Sequence, residues 1–326
     1  MTKRNNRSFI KYLRIVLLSL LIVWGAVSVI GIAAVIEGLT SERIFPQPPL
    51  KTSALRPMAD LNTNEEMYLE LLKRALTRYG LEDSYRPLIN PQGRLGKLVS
   101  RMIGHARFVQ ILPFDPRKRE HGRDWPHNAE TMIGLERLNN LQWCVTDVLH
   151  RNIPGDLIEC GAWRGGACIL MRSVLKVYGD KTRIVWVADS FEGLPKPDEN
   201  SDPIDITLWE GGEMTASLDQ VKRNFSKYGM LDDQVRFLKG WFIDTLPAAP
   251  IERLAVLRLD CDLYESIMQS LKYLYPKVSS GGYVIIDDYG ALIPAKNAVD
   301  DFRRENGIHE EIVKIDWTGV YWMKGN

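Results

Sequence analysis

Residues 155–172 read GDLIECGAWRGGACILMR. Asp156–Gly161 is a short apolar strand that runs into a glycine turn, and Gly165–Tyr178 continues as an apolar helix. A strand feeding a helix through glycines is the opening unit of a parallel sheet, because parallel strands need a crossover connection. The downstream sequence repeats the unit. Further strands are expected at Arg183–Ser190 (RIVWVADS), Gln234–Lys239 (QVRFLK), Leu254–Asp260 (LAVLRLD) and Gly282–Asp287 (GYVIID). Helices are expected between them at Leu218–Tyr228 and Glu265–Tyr275, and after them at Pro294–Glu305, with a proline near the first turn. Two strands, Glu311–Asp316 and Val320–Lys324, close the pattern. Such alternation predicts an α/β fold: a doubly wound, mostly parallel sheet with helices on both faces. Ligands of these sheets bind beyond the carboxyl ends of the strands. Glu159, Asp189, Asp260, Asp262, Asp287 and Asp288 all fall there.

Upstream, Thr131–His150 carries apolar residues at helical spacing (Met132, Leu135, Leu138, Leu141, Val145, Val148), which read mostly as core. Residues 85–128 are rich in Pro, Gly and basic residues and are expected to form loops and short helices over a site. Asn64 is positioned to cap a helix over Glu65–Tyr79 that ends at Gly80. Phe45–Pro57 (FPQPPLKTSALRP) reads as a semi-rigid stalk. Ile15–Ile36 has no charged residue and is long enough to span a hydrocarbon core of about 30 Å. Five basic residues precede it (Lys3, Arg4, Arg7, Lys11, Arg14), so the positive-inside rule puts the N-terminus in the cytoplasm. A cleaved signal peptide is the competing reading, with a weak cleavage site at Ala33, Ala34 and Gly38. The expected organisation is a basic tail (1–14), a transmembrane helix (15–36), a Pro-rich linker (37–60), a helical cap (61–152) and the α/β domain (153–326). The expected localisation is a single-pass membrane protein.

The chain has 326 residues and a formal net charge of +1, enough length for one large domain and too little positive charge for a nucleic-acid partner. A small molecule fits better, and homo-oligomer formation is left open. Cys144, Cys160, Cys168 and Cys261 have no metal-finger spacing and read as buried free thiols.

The loop Glu159-Cys-Gly161-Ala-Trp163-Arg164-Gly165-Gly166 sits where a cofactor would approach backbone and helix N-terminus. A dinucleotide fold would show G-x-G-x-x-G and an acid about twenty residues later. Here the glycine spacing differs and Asp189 comes later. A carboxylate just before the turn suits S-adenosylmethionine instead, with Glu159 on the cationic amino-acid end and Asp189 accepting the ribose hydroxyls. A tight turn serving packing alone is the plain alternative.

Asp260-Cys-Asp262 and Asp287-Asp288 end two strands expected to be neighbours, about 4.8 Å apart. Carboxylates sharing one cleft repel unless a cation or a proton relieves them. Mg²⁺ with oxygen ligands is the economical answer. It would orient two substrate hydroxyls and acidify one, while an aspartate off the metal takes the proton. The plain alternative is that these acids cap helices or pair with Arg and Lys.

Long stretches of the chain resemble the macrocin O-methyltransferases (the TylF/MycF group). They are HNAETMIGLERLNNLQ (127–142), GDLIECGAWRGGACILMR (155–172), VADSFEGLPKP (187–197), FLKGWFIDTLPAAP (237–250), LRLDCDLYESIMQSLKYLYPKVSSGGYVIIDDYG (257–290) and IDWTGVYWMK (315–324). The resemblance runs from about Trp125 to the C-terminus. It implies a class I methyltransferase fold, Rossmann-like with an antiparallel last strand, that uses S-adenosylmethionine and Mg²⁺ to methylate a sugar hydroxyl. It implies metal ligation by Asp260, Asp287 and Asp288, with Asp262 as general base; the roles of Asp260 and Asp262 are open to exchange. The loop at 159–166 gives cofactor contacts from Glu159, Gly161, Trp163, Arg164 and Gly165, and the resemblance implies a ribose-binding stretch at Asp189-Ser190-Phe191 and an adenine wall at Trp241 and Phe242. His127 and Glu130–Met132 resemble a segment lying over cofactor and substrate. Cys261 between two acids and Ser266-Ile267 depart from the family pattern and bear on the acceptor pocket. The membrane helix is not a family feature. Two other readings stay on the table, a dinucleotide-dependent sugar enzyme and a non-catalytic membrane-tethered binding module. One conflict stands as well: the charge rule exports the domain, whereas S-adenosylmethionine is made in the cytosol.

Overall fold

The strands of the α/β region assemble in an order that runs outward in both directions from the first. They are β1 (Asp156–Cys160), β2 (Val185–Asp189), β3 (Val235–Lys239), β4 (Leu254–Leu259), β5 (Val278–Ile286), β6 (Val313–Lys314) and β7 (Val320–Met323). Their spatial order is β3-β2-β1-β4-β5-β7-β6. β1 to β5 are mutually parallel, and β7 runs antiparallel to both β5 and β6. The chain therefore builds one half of the sheet, returns to the centre and builds the other. The crevice at that reversal lies between the carboxyl ends of β1 and β4.

The computed structural model describes residues 63–81, 83–87, 109–124, 126, 128–196 and 214–325. The chain divides into two compact units, 1–47 with 87–110 and 48–86 with 111–326. Apart from Pro87, Val109 and Gln110, every described residue belongs to the second. The basic tail, the expected transmembrane helix at 15–36, the Pro-rich linker and His127 lie outside the described residues. Among the described residues, no helix is long and apolar enough to cross a membrane.

The helices are α1 (Asn64–Leu76), α2 (Pro116–Glu120), α3 (Leu135–His150), α4 (Gly166–Val177), α5 (Leu218–Lys227), α6 (Phe242–Ala248), α7 (Tyr264–Leu274) and α8 (Ile293–Glu305). Alternate strand residues point to opposite faces. Leu157, Val187, Val235 and Ile285 join one core with Leu138 and Val145 of α3, Val174 of α4 and Phe225 of α5. Ile158, Ala188, Leu257 and Ile286 join the other with Leu246 of α6, Leu271 of α7 and Val299 of α8. Burial on both faces explains why the strands read as near-continuous apolar runs.

Several boundaries differ from expectation. Thr63, not Asn64, caps α1, its hydroxyl accepting the Glu66 amide at 3.1 Å. α3 begins at Leu135 because Gly134 takes the N-cap position, which leaves Met132 out of the helical stripe and on the cleft wall. β5 starts at Val278, four residues before the expected Gly282; its register against β4 slips there, and Gly281 has φ +78°. The structure keeps Ser279-Ser-Gly-Gly282 within the strand. α6 has no counterpart in the expected elements; it is seven residues long and contains Pro247. In and at the edge of residues 85–128 the structure has two short strands, Ser84–Pro87 and Val109–Leu112, besides α2. All four cysteines are free and buried.

Candidate active site

A cleft of about 690 Å³ opens at the carboxyl ends of the central strands. Backbone hydrogen bonds tie those ends together. The Gly161 amide donates to the Ala188 carbonyl (2.9 Å), Asp260 to Cys160 (2.9 Å), Asp287 to Leu259 (2.9 Å) and Gly240 to Asp189 (3.0 Å). The loops that leave β1, β2 and β4 each hold one non-glycine residue at positive φ: Trp163 (+44°), Phe191 (+57°) and Asp262 (+56°). Such conformations persist where the surroundings impose them.

Asp189 ends β2 on the cleft wall. Its Oδ1 accepts the Phe191 amide at 2.8 Å and its Oδ2 the Trp163 amide at 3.0 Å. One carboxylate thus fixes the loops after β1 and β2. Burial raises its pKa above the ordinary carboxylate value, and the Phe191, Trp163 and Ala162 amides pull it back.

Glu159 lies in β1, almost fully buried. Its Oε1 accepts a hydrogen bond from Arg258 Nη1, and its Oε2 accepts the Cys168 thiol at 2.8 Å. Burial pushes the Glu159 carboxyl up to about 7; Arg258 opposes this, while Asp260 and Asp287 add to it. The Cys168 thiol is itself pushed well up by burial, so it remains a donor.

Asp260, Asp287 and Asp288 each offer a carboxylate oxygen, and these oxygens lie within 4.8 Å of one another. Asp287 is bridged by Arg258 Nη2 on one oxygen and Arg137 Nη1 on the other. Arg258 Nη1 also donates to Asp260 Oδ2 at 2.9 Å, and Arg137 Nε approaches Asp316 Oδ2 at 3.1 Å. Two buried arginines therefore offset part of the charge that the sequence left to a metal ion. They do not offset all of it. Glu159, Asp260, Asp287, Asp288 and Asp316 face Arg137 and Arg258, five formal negative charges against two, and Asp262 adds its charge beside Asp288. Asp288 Oδ2 is buried with no hydrogen-bond partner. Burial, with Asp262, Asp287 and Asp260 nearby, drives the Asp288 carboxyl well above its ordinary value, and Asp260 also rises. An orphaned buried oxygen beside two more carboxylates fits a hard divalent cation.

The other expected residues divide. Gly161, Trp163, Ser190, Trp241, Phe242 and Asp262 line the cleft, as do Thr131 and Met132. Arg164, Gly165 and Phe191 do not. Arg164 points to the far side of the loop, where its Nη1 donates to the Ala129 carbonyl at 3.0 Å. Gly165 is the N-cap of α4, with φ +86°. Phe191 is buried in the core, and only its amide serves the site. Glu130 turns away too, accepting the Tyr228 hydroxyl at 2.9 Å. Sequence reasoning missed Arg137, Arg258 and Cys168. Arg258 carried a signal: a charged residue inside the apolar strand LAVLRL demands buried partners.

The family model of the macrocin O-methyltransferases (TylF) matches residues 65–324. The chain belongs to this family. Two relatives are the mycinamicin III 3''-O-methyltransferase of Micromonospora griseorubida and the demethyldecarbamoylnovobiocin O-methyltransferase of Streptomyces niveus. The first is 47% identical over 269 residues, 81% of this chain and 98% of the relative. The second is 54% identical over 209 residues, 63% of this chain and 80% of the relative. The solved structure of the O-methyltransferase NovP covers 81% of this chain and 100% of its own, at 45% identity and TM-score 0.70. The protein is thus a TylF-family O-methyltransferase, which favours methyl transfer over the dinucleotide-dependent reading.

Proposed function

We propose that this protein transfers a methyl group from S-adenosylmethionine to a hydroxyl of a sugar or glycoside, assisted by Mg²⁺ at Asp260, Asp287 and Asp288. The convergence of those three carboxylates within 4.8 Å, in the cleft that Glu159 and Asp189 also line, carries the reading. The acceptor class follows the names of the relatives. One acts on mycinamicin III, and another, from Streptomyces olivaceus and 48% identical over 260 residues, on a rhamnosyl-tetracenomycin.

Bound Mg²⁺ supplies a Lewis acid that lowers the pKa of the acceptor hydroxyl and orients it. Glu159, Asp189, Trp241 and Phe242 line the cleft and would hold the methyl donor, Glu159 at its ammonium end, Asp189 at its ribose and the two aromatic residues at its adenine. Asp262 takes the hydroxyl proton as the oxygen accepts the methyl group, and S-adenosylhomocysteine leaves. Its strained backbone holds it at the cleft, next to the set of metal ligands rather than in it. Arg137 and Arg258 hold Asp287 in place, one on each carboxylate oxygen.

A labelled-methyl screen over glycosides, with and without EDTA, tests the whole reading. Transfer to a sugar hydroxyl that stops in EDTA and returns with Mg²⁺ is expected. Full turnover in EDTA overturns the metal role, and transfer to non-sugar hydroxyls alone overturns the acceptor class.

We further propose that residues 15–36 anchor the protein in a membrane, on the strength of their charge-free composition. A chain starting at Met58 should remain active and lose membrane attachment. Release of the full chain by carbonate extraction overturns the anchor.

A further inference from the structure

Arg258 joins the two halves of the site. It sits in β4, opposite Glu159 of β1 in the sheet register. It is 1% exposed, yet it touches three carboxylates: Glu159 and Asp260 through Nη1, and Asp287 through Nη2. Glu159 belongs to the donor end of the cleft, and Asp260 and Asp287 to the metal end. We propose that Arg258 is a positioning residue that sets the methyl-donor site and the metal site in one frame, so that both depend on a group that contacts neither ligand. This rests on the Mg²⁺ reading above.

The chemistry favours arginine specifically. A guanidinium is planar, carries its charge at any working pH and presents donors in a fixed fork. It can hold carboxylates on two neighbouring strands at a set separation. A lysine keeps the charge but offers one ammonium on a flexible stem, which cannot span from Glu159 to Asp287 in the same way. Side chains left unsupported around a reacting centre drift, and a shift of about 1 Å can lower rates about 100-fold. Arg137 supplies the contrast. It contacts Asp287 and Asp316 and has no bond to Glu159, so it supports the metal end alone.

The test uses Arg258→Lys, which retains the buried positive charge, and Arg137→Lys, each in the full chain. Calorimetry measures Mg²⁺ binding without donor and S-adenosylhomocysteine binding without Mg²⁺; melting curves report folding. Arg258→Lys should weaken both ligands 10-fold or more, whereas Arg137→Lys should weaken Mg²⁺ and leave S-adenosylhomocysteine within 2-fold. An Arg258→Lys protein that melts earlier but binds both ligands as wild type shows a merely structural arginine and overturns the proposal. Loss of one affinity alone overturns the shared frame. Absence of Mg²⁺ binding in the wild type overturns the metal reading and this proposal with it; normal wild-type binding confines any failure to Arg258. If Arg258→Lys does not fold, Glu159→Gln replaces it. A shared frame then requires weaker Mg²⁺ binding from a residue outside the metal set, and unchanged Mg²⁺ affinity overturns it.

Discussion

Gly161 is the residue whose loss should do most damage for its size. It follows β1 with φ +87°, a conformation that costs an L-residue about 1–2 kcal/mol. A Cβ there would run into the carbonyl oxygen of Asp260 and lie 2.6 Å from its carbonyl carbon, backbone atoms that cannot rotate aside. Relief requires the ends of β1 and β4 to part, and overpacking of this sort costs about 1–3 kcal/mol. Gly161→Ala should therefore destabilise by about 2–5 kcal/mol, or about 4–10 °C in Tm at roughly 2 °C per kcal/mol for a large domain. The displaced groups include Asp260, so S-adenosylhomocysteine and Mg²⁺ affinities should both fall, and methyl transfer should slow about 100-fold if the shift approaches 1 Å. Gly179→Ala is the control. Gly179 has φ +72° with nothing within 4 Å of a Cβ, so it isolates the backbone cost. Differential scanning calorimetry and ligand titration read both effects. A Gly161→Ala protein that melts with the Gly179→Ala protein and binds both ligands normally would refute the argument that this close approach fixes the site.

Three further outcomes follow from the geometry. Asp189→Asn should weaken S-adenosylhomocysteine binding about 10- to 100-fold in calorimetry, because charge-assisted hydrogen bonds are each worth about 1.5–3 kcal/mol and the new amide faces the Trp163 or Phe191 N–H; unchanged affinity contradicts the ribose assignment. Asp288→Asn should raise the Tm of the metal-free protein, since it removes a buried, unpaired carboxylate oxygen among other acids, and should abolish any rise in Tm on adding Mg²⁺; a retained Mg²⁺ response sinks its role as ligand. Glu159 titrates at about 7 in the fold against an ordinary 4.5, so the fold favours its neutral form. Its contribution to stability is full below about 4.5 and lost as pH rises through 7, at most about 3 kcal/mol. Stability of the ligand-free protein should fall over that window less steeply in Glu159→Gln than in wild type, and parallel curves would show that Glu159 is not the group responsible.

Much of this architecture was readable from periodicity. Leu157-Ile158, Val185–Ala188 and Leu254–Leu259 are apolar at every position or nearly so, and burial on both faces is the reason. The acids at the strand ends were equally readable, because in a parallel sheet the residue after each strand faces one edge. What escaped detection depends on tertiary placement. α6 is short and carries Pro247, which propensity counts against a helix. Arg164 and Phe191 share the site's loops, but the loop conformation sends the first side chain outward and the second into the core. Arg137 reaches Asp287 across 150 positions of sequence, a distance over which no spacing rule operates.

The pairing of Glu159 with Arg258 bears on why the site lies where it does. The flanking residues Ile158, Cys160, Leu257 and Leu259 all face the opposite core, so Glu159 and Arg258 occupy register partners on the face that otherwise carries Leu157 and Val256. An apolar pair there would pack without desolvating two charges, and buried ion pairs are often no more stabilising than such replacements. Stability of the sheet therefore does not account for them. The proposed function does: a carboxylate meant to face a cationic donor would lie in the cleft at the end of β1, and once buried it needs a partner that stays charged. Arg258 meets that need from the neighbouring strand, and the same guanidinium then reaches Asp260 and Asp287. On the proposed function, the charge arrangement around Asp260 and Asp287 thus follows from what Glu159 requires.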